Sequence, residues 1–280
     1  VPSTADRSRV EQRILEESMR LPPGGAVSGW AALRLHGGGF FDGSHAGRDE
    51  LPVDLALPAE VDLRPALGII RHRSLLPAGD ICVRHGIRCT TPERALFDAI
   101  RWQKAPIRRQ QWADLALSAG LTTFAEMHTY LTTTAVVRGR QIVTRVIEAA
   151  SDRVLSPHET TLRVMWEQKG ALPPVRCNWP VADECGRRLG RPDLLCDAEA
   201  VVIEYDGRDH TRDDVRVVDL AKEDAYRRCG LEYIRVVGQD LAHPDRILAR
   251  MHQAVVRSRS SNIPRSYQLA RNPRPVRQQL

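Results

Sequence analysis

The sequence predicts an α/β protein, α+β overall, built as two domains with a tail. Three observations predict it. Residues 151–258 alternate helical and strand patterns in the order αβββαβα, which requires a mixed sheet with helices packed on it. Residues 1–150 mix helical and strand-like runs broken by Gly and Pro, the pattern of a smaller α+β domain. The stretch 259–280 holds Arg259, Arg265, Arg271, Arg274 and Arg277 with no acidic residue, and reads as a flexible basic tail.

In the first domain a short helix is expected over 10–19, ended by Pro22-Pro23-Gly24-Gly25. Ser28 is expected to cap a helix over 29–36, which stops at Gly37-Gly38-Gly39. Strand-like runs follow at 53–57, 68–72 and 81–84. Thr91-Pro92-Glu93-Arg94 then opens a helix with a cap, Pro at its first position and an acid in its first turn. Further helices are expected near 106–118, 123–131 and 138–150.

In the second domain Ser156-Pro157-His158-Glu159 starts a helix that runs to Gln168 and ends at Gly170. Strands are expected near 174–181, 187–196 and 200–206. A helix over 215–229, closed by Gly230, leads to a strand over 231–237, and Pro244 begins a last helix.

The chain has 280 residues and a net charge of +6, carried almost wholly by arginine; its lysines are Lys104, Lys169 and Lys222. Guanidinium groups match phosphate oxygens bidentately, so this balance favours a phosphate-bearing partner such as DNA. No run approaches the ~18 apolar residues of a membrane span, and no signal-like segment opens the chain. A cytoplasmic location with reduced thiols is expected. None of the six cysteines forms a CxxC, and the spacing of Cys177, Cys185, Cys196 and Cys229 does not support a structural zinc.

The chemistry concentrates in one stretch. Side chains alternate along a strand, so Glu204 and Asp206 share a face with Val202. The Val201-Val202-Ile203 run predicts burial on both faces. With Asp193 at the start of the neighbouring strand, three acids can meet at one end of the sheet. Two like charges ~4 Å apart repel by roughly 4 kcal/mol at an effective dielectric of about 20. Three such pairs approach a whole domain's stability. The acids must protonate, spread into solvent, pair with Arg187, Arg188 or Arg191, or bind a cation; carboxylate oxygens suit Mg²⁺ or Mn²⁺. A glycosidase role is a poor fit, because same-face strand residues point in parallel and would not flank a glycosidic bond.

Asp193, a turn, Glu204-Tyr205-Asp206-Gly207 and His210, together with the element order, make 151–250 resemble the PD-(D/E)xK superfamily of restriction-endonuclease-like nucleases. The nearer likeness is to its very-short-patch-repair-like branch. The resemblance implies a restriction-endonuclease-like αβββαβα core, with Asp193 and Glu204 as metal ligands. Asp206 stands where the superfamily usually has lysine. Very-short-patch repair enzymes carry a structural zinc and nearby Thr and His that this chain lacks, so T:G mismatch repair is not implied.

Several residues can complete such a site. His210 is either a general base or phosphate ligand, or a hydrogen-bonded loop histidine. Lys222 is either a lysine moved onto the next helix, or a solvated partner of Asp219 or Glu223. Glu159 either completes the metal site, as the resemblance implies, or closes a capping box with Ser156. Arg163, Arg208 and Arg212 are candidate phosphate contacts.

In the first domain, Val27-Ser28-Gly29-Trp30-Ala31-Ala32-Leu33 and Cys89-Thr90-Thr91-Pro92-Glu93-Arg94-Ala95-Leu96-Phe97-Asp98 resemble the abortive-infection AbiEi-type antitoxin group. That resemblance implies autorepression of a toxin–antitoxin operon and leaves room for a protein partner. The winged helix that usually precedes these segments has no counterpart here, since a single helix fits ahead of Val27. Helix initiation and core packing are the competing role for Trp30 and Thr91–Arg94. Two functions therefore stand at the sequence level. One is a metal-dependent DNA endonuclease or nicking enzyme, and the other a non-catalytic DNA-binding regulator or antitoxin-like protein on a degenerate nuclease fold.

Overall fold

The structure is a computed structural model that describes residues 9–45, 49–207 and 213–271. Its α/β architecture divides into two compact units, with the boundary between Asp152 and Arg153.

The first unit opens with α1 (Val10–Ser18), β1 (Ala26–Val27) and α2 (Gly29–Leu35). The short pair β2 (Ser44–His45) and β3 (Asp49–Glu50) precedes β4 (Val53–Leu57) and β5 (Ile69–Arg73). A hairpin of β6 (Ile81–Arg84) and β7 (Ile87–Thr90) leads into four helices: α3 (Pro92–Trp102), α4 (Pro106–Ser118), α5 (Phe124–Thr133) and α6 (Arg140–Glu148). The sheet order is β5-β4-β1-β7-β6.

Two members of that sheet, β1 and β7, lie outside the sequence expectation. Two residues are too few for β1 to show alternation. The β6–β7 turn uses His85 and Gly86, both at positive φ (51° and 77°). Such a turn matches the twist of a hairpin, but its usual sequence signal is Asn-Gly or Asp-Gly. Ser28 also departs from expectation. It precedes α2 but makes no side-chain cap bond; its Oγ donates to Asp98 Oδ2 at 2.7 Å and meets Thr90 Oγ1 at 3.0 Å, fully buried. A buried acceptor on α3 outcompetes the cap.

The second unit begins with α7 (Pro157–Val164), which continues as a π-helical turn over 165–169. Then come β8 (Arg176–Cys177), β9 (Val181–Asp183), β10 (Arg188–Gly190), β11 (Leu194–Cys196) and β12 (Val201–Asp206). The chain ends through α8 (Asp213–Arg228), β13 (Glu232–Val237), α9 (Pro244–Ser260) and β14 (Tyr267–Leu269). The main sheet runs β13-β12-β11-β8, with β12 and β13 parallel and the other pairs antiparallel. Taken along this sheet, the order is αβββαβα.

The expected strands at 174–181 and 187–196 each split in two. Prolines 180 and 192 lack an amide for the ladder, and each separates a strand of the main sheet from one of a second sheet, ordered β10-β9-β14. The tail is corrected as well. Tyr267–Leu269 pairs antiparallel with β9, and Trp179 Nε1 donates to Ala270 O at 3.0 Å. Residues 272–280, with Arg274 and Arg277, lie outside the described residues.

As its apolar run predicts, β12 is buried on both faces over Val201–Ile203. Leu194, Cys196, Val201 and Ile203 pack with α7 and α9, whereas Leu195 and Val202 pack with Tyr226 of α8 and Tyr233 of β13. At ~1.5–3 kcal/mol per buried aliphatic side chain, this two-sided core anchors the strand that carries the acids.

Candidate active site

Beyond Ile203, β12 leaves the core, and Glu204, Tyr205 and Asp206 are half-buried. Alternation sends Glu204 and Asp206 to the α8 side with Val202. Continuing the β11–β12 register by one residue past Leu194↔Ile203 sets Asp193 opposite Glu204. Asp193 Oδ2 accepts from Tyr205 N at 2.7 Å, and its backbone carbonyl accepts from Asn178 N at 2.9 Å. Burial, Glu159 and Glu204 push the Asp193 carboxyl up to about 7 against the opposing pull of the Tyr205 amide and Lys222. The first and largest of these causes is desolvation, which disfavours the charged form.

Glu204 is held at both oxygens. Tyr233 Oη donates to Oε2 at 3.1 Å, and the Lys222 ammonium lies against Oε1 as an ion pair. That contact is not aligned as a hydrogen bond, so the buried Oε1 makes none. Lys222 and Tyr226 are four residues apart on α8, one above the other on the same face. Tyr226 is buried against Val202, which turns Lys222 toward Glu204. Gly190 makes room for both: a Cβ there would stand 2.4 Å from Tyr226 Oη and 3.0 Å from Lys222 Cε. Glu223, a sequence-level partner for Lys222, pairs with Arg227 at 2.9 Å instead.

Asp206 is engaged by Arg235 of β13, whose guanidinium forms an ion pair with Oδ2. Parallel pairing puts Arg235 beside Glu204, on the face that Asp206 shares. The position where the resembled superfamily has a lysine thus holds a neutralised carboxylate, and the lysine at the acids comes from α8.

Glu159 is buried, and its Oε2 accepts from Leu155 N at 2.9 Å and Asn178 Nδ2 at 2.6 Å. Half of the expected capping box forms: Ser156 Oγ accepts from Glu159 N at 3.2 Å, but the carboxylate reaches the Leu155 amide. Its charge still acts on Asp193. The capping box therefore closes on the Ser156 side only, while the Glu159 carboxylate bonds the Leu155 amide and Asn178.

Arg163 is corrected. Only 4% exposed and paired with Glu167 at 3.0 Å, it is not available to a nucleic acid. Helical spacing alone does not reveal that burial. Arg208, His210 and Arg212 lie outside the described residues. Sequence reasoning missed Asn178, Tyr233 and Arg235. Alternation along Glu232–Val237 carries a signal for the last two, since it puts them on one face. No local signal marks Asn178, held at φ 48°.

The donor set fits a hard divalent cation in one respect: the Asp193 carboxyl, pushed up to about 7, stands beside Glu204, whose Oε1 makes no hydrogen bond and is engaged only by the Lys222 ammonium, a cation that a metal ion would replace. The three acids do not bring their ligand atoms within 4.8 Å of one another. Mg²⁺ commonly takes one or two carboxylates plus waters, so Asp193 and Glu204 suffice and Glu159 stands behind them. No protein-family model, curated protein or solved structure matches this chain.

Proposed function

We propose that the second unit is a metal-dependent DNA endonuclease or nicking enzyme that hydrolyses phosphodiester bonds. The observation that carries this is Lys222 delivered from α8 onto Glu204, with Asp193 in the next position across the strands. Asp193 and Glu204 would hold Mg²⁺ or Mn²⁺, which supplies charge neutralisation at the scissile phosphate and an activated water. Tyr233 fixes the rotamer of Glu204, while the Tyr205 amide and the Asn178 amide fix Asp193. Lys222 brings a positive, proton-bearing group suited to bind a phosphate oxygen or the attacking water. Asp206, neutralised by Arg235, orients that arginine rather than binding metal.

The purified chain is expected to cut duplex, single-stranded or mismatched DNA in Mg²⁺ or Mn²⁺. Asp193→Ala and Glu204→Ala should remove cleavage while circular dichroism stays unchanged. Wild-type protein that cuts none of these substrates in either metal rules the enzyme out.

A second reading, a DNA-binding regulator or antitoxin-like protein, is favoured by the Arg235 clamp on Asp206 and by a basic cavity in the first unit. Arg71, Arg73, Arg101 and Arg138 line that cavity around the stacked rings of His72 and Trp102, 3.5 Å apart, with Asp62 pairing with Arg71 and Arg73 at its edge. It predicts salt-dependent DNA binding that survives Asp193→Ala. Calorimetric Mn²⁺ titration of wild type and Asp193→Ala separates the two, because a regulator needs no ion at Asp193.

A further inference from the structure

In the first unit, one half-buried histidine and two cysteines converge from three elements. His36 follows the last turn of α2, Cys82 lies on β6 and Cys89 on β7. The β6–β7 register sets Cys82 directly opposite Cys89, and their sulfurs are 3.7 Å apart. His36 Nε2 lies 3.8 Å from Cys82 Sγ and 4.0 Å from Cys89 Sγ. Among the described residues this is the one set of three such side chains with ligand atoms within 4.8 Å of one another.

The triangle has the dimensions of a metal site. An ion at its centre would lie about 2.2 Å from each donor atom, between the ~2.0–2.1 Å of zinc–imidazole and the ~2.3 Å of zinc–thiolate bonds. Two sulfurs and an imidazole are a soft donor set, which selects Zn²⁺ or Cu⁺ over Mg²⁺ or Ca²⁺. We propose that His36, Cys82 and Cys89 bind one thiophilic cation, Zn²⁺, in a site separate from the carboxylates of the second unit.

The groups around the triangle define what binding must change. Thr90 O lies 2.8 Å from His36 Nε2, and Arg84 Nε donates to His36 Nδ1 at 3.2 Å, so the ion-free imidazole carries its proton on Nε2. Ligation moves that proton to Nδ1 and turns the exposed Arg84 away. Burial, with Cys82 alongside, pushes the Cys89 thiol up to about 12; both sulfurs would bind the ion as thiolates, so binding displaces their protons. Two protons leave as one dication enters, and the charge of the site does not change. Displaced slightly out of the plane of the three donors, the ion would leave a fourth tetrahedral position for water.

The test uses the full chain, reduced and stripped of metal, titrated with Zn²⁺ against a chromophoric chelator and separately with Co²⁺. One ion per chain is expected, with release of about two protons and intense sulfur-to-cobalt absorption in the near ultraviolet. Cys82→Ser with Cys89→Ser should weaken Zn²⁺ binding by more than the ~100-fold typical of outer-shell changes and abolish that absorption. His36→Gln, which keeps both thiols, should weaken binding and keep sulfur absorption, which guards against simple misfolding. The proposal fails if wild type holds no ion, if binding survives loss of both thiols, or if the pair yields only a Cys82–Cys89 disulfide.

Discussion

Asp193 is one side chain through which pH acts on the stability of this protein. Its carboxyl titrates near 7 when folded, against about 3.9 in an unfolded chain. Below about 4 it is protonated in both states and affects stability little. Between about 4 and about 7 the unfolded chain releases a proton that the folded chain keeps, so stability falls as pH rises, and the loss is complete above 7. Asp193→Asn should therefore be more stable than wild type at pH 8 by up to a few kcal/mol and close to it at pH 4. Urea denaturation at both pH values checks this, and parallel pH profiles would refute it. On the proposed nuclease reading, Mn²⁺ binding at Asp193 would displace the same proton, so it should tighten from pH 6 to pH 8. Lys222→Met should lower cleavage by ~10²-fold or more while leaving the cooperative melt in place, because the side chain is partly exposed.

At the scale of elements, α3 shows how a functional-looking motif becomes architecture. Thr91 Oγ1 caps the helix at Arg94 N, 3.4 Å away, and Arg94 is then carried into the core. Its guanidinium donates to Asp98 at 2.8 Å, Asp80 at 2.6 Å, Ser74 at 2.8 Å and the Leu75 carbonyl at 3.0 Å. Asp98, one helical turn on, also accepts from Ser28 and from Arg101 Nε at 2.7 Å. Removing one member of such a buried set strands the opposite charge. Asp98→Ala is expected to cost about 3–5 kcal/mol of stability, and Arg94→Met combined with Asp98→Leu to recover part of it. Chemical denaturation of the three proteins checks the order. The helix start was readable from Thr91-Pro92-Glu93; the ion network was not, because Ser28, Ser74 and Asp80 arrive from distant parts of the chain. In the second unit the split strands have the same lesson. Apolar runs marked where strands fall, but Pro180 and Pro192 decided which sheet each half joined.

At the scale of the whole molecule, each unit has its own apolar core. Residues 153–276 are expected to fold alone and show a cooperative melt that keeps the Asp193 pH dependence. Ending that fragment at Ser261 removes β14 and the Trp179–Ala270 bond, so hydrogen exchange in β9 should accelerate. Amides of β9 that stay equally protected would refute the pairing. The net charge of +6 makes any DNA binding steeply salt-dependent, with a slope of about −0.9 per phosphate neutralised. No helix among the described residues is long and apolar enough to cross a membrane.

The sequence by itself determined the α/β class, most element positions and the face on which Glu204 and Asp206 lie. Those properties follow from periodicities of two and 3.6 residues, from caps and from prolines, all of which act within one element. Tertiary structure alone decided which charges meet. Lys222 reaches Glu204 from the crossover helix, Arg235 claims Asp206 from the neighbouring strand, and Asn178 ties Glu159 to Asp193. His36, Cys82 and Cys89 converge although no spacing motif joins them. Contacts between elements depend on register and crossing geometry. A strand shifted by one residue would turn its own side chains to the opposite face.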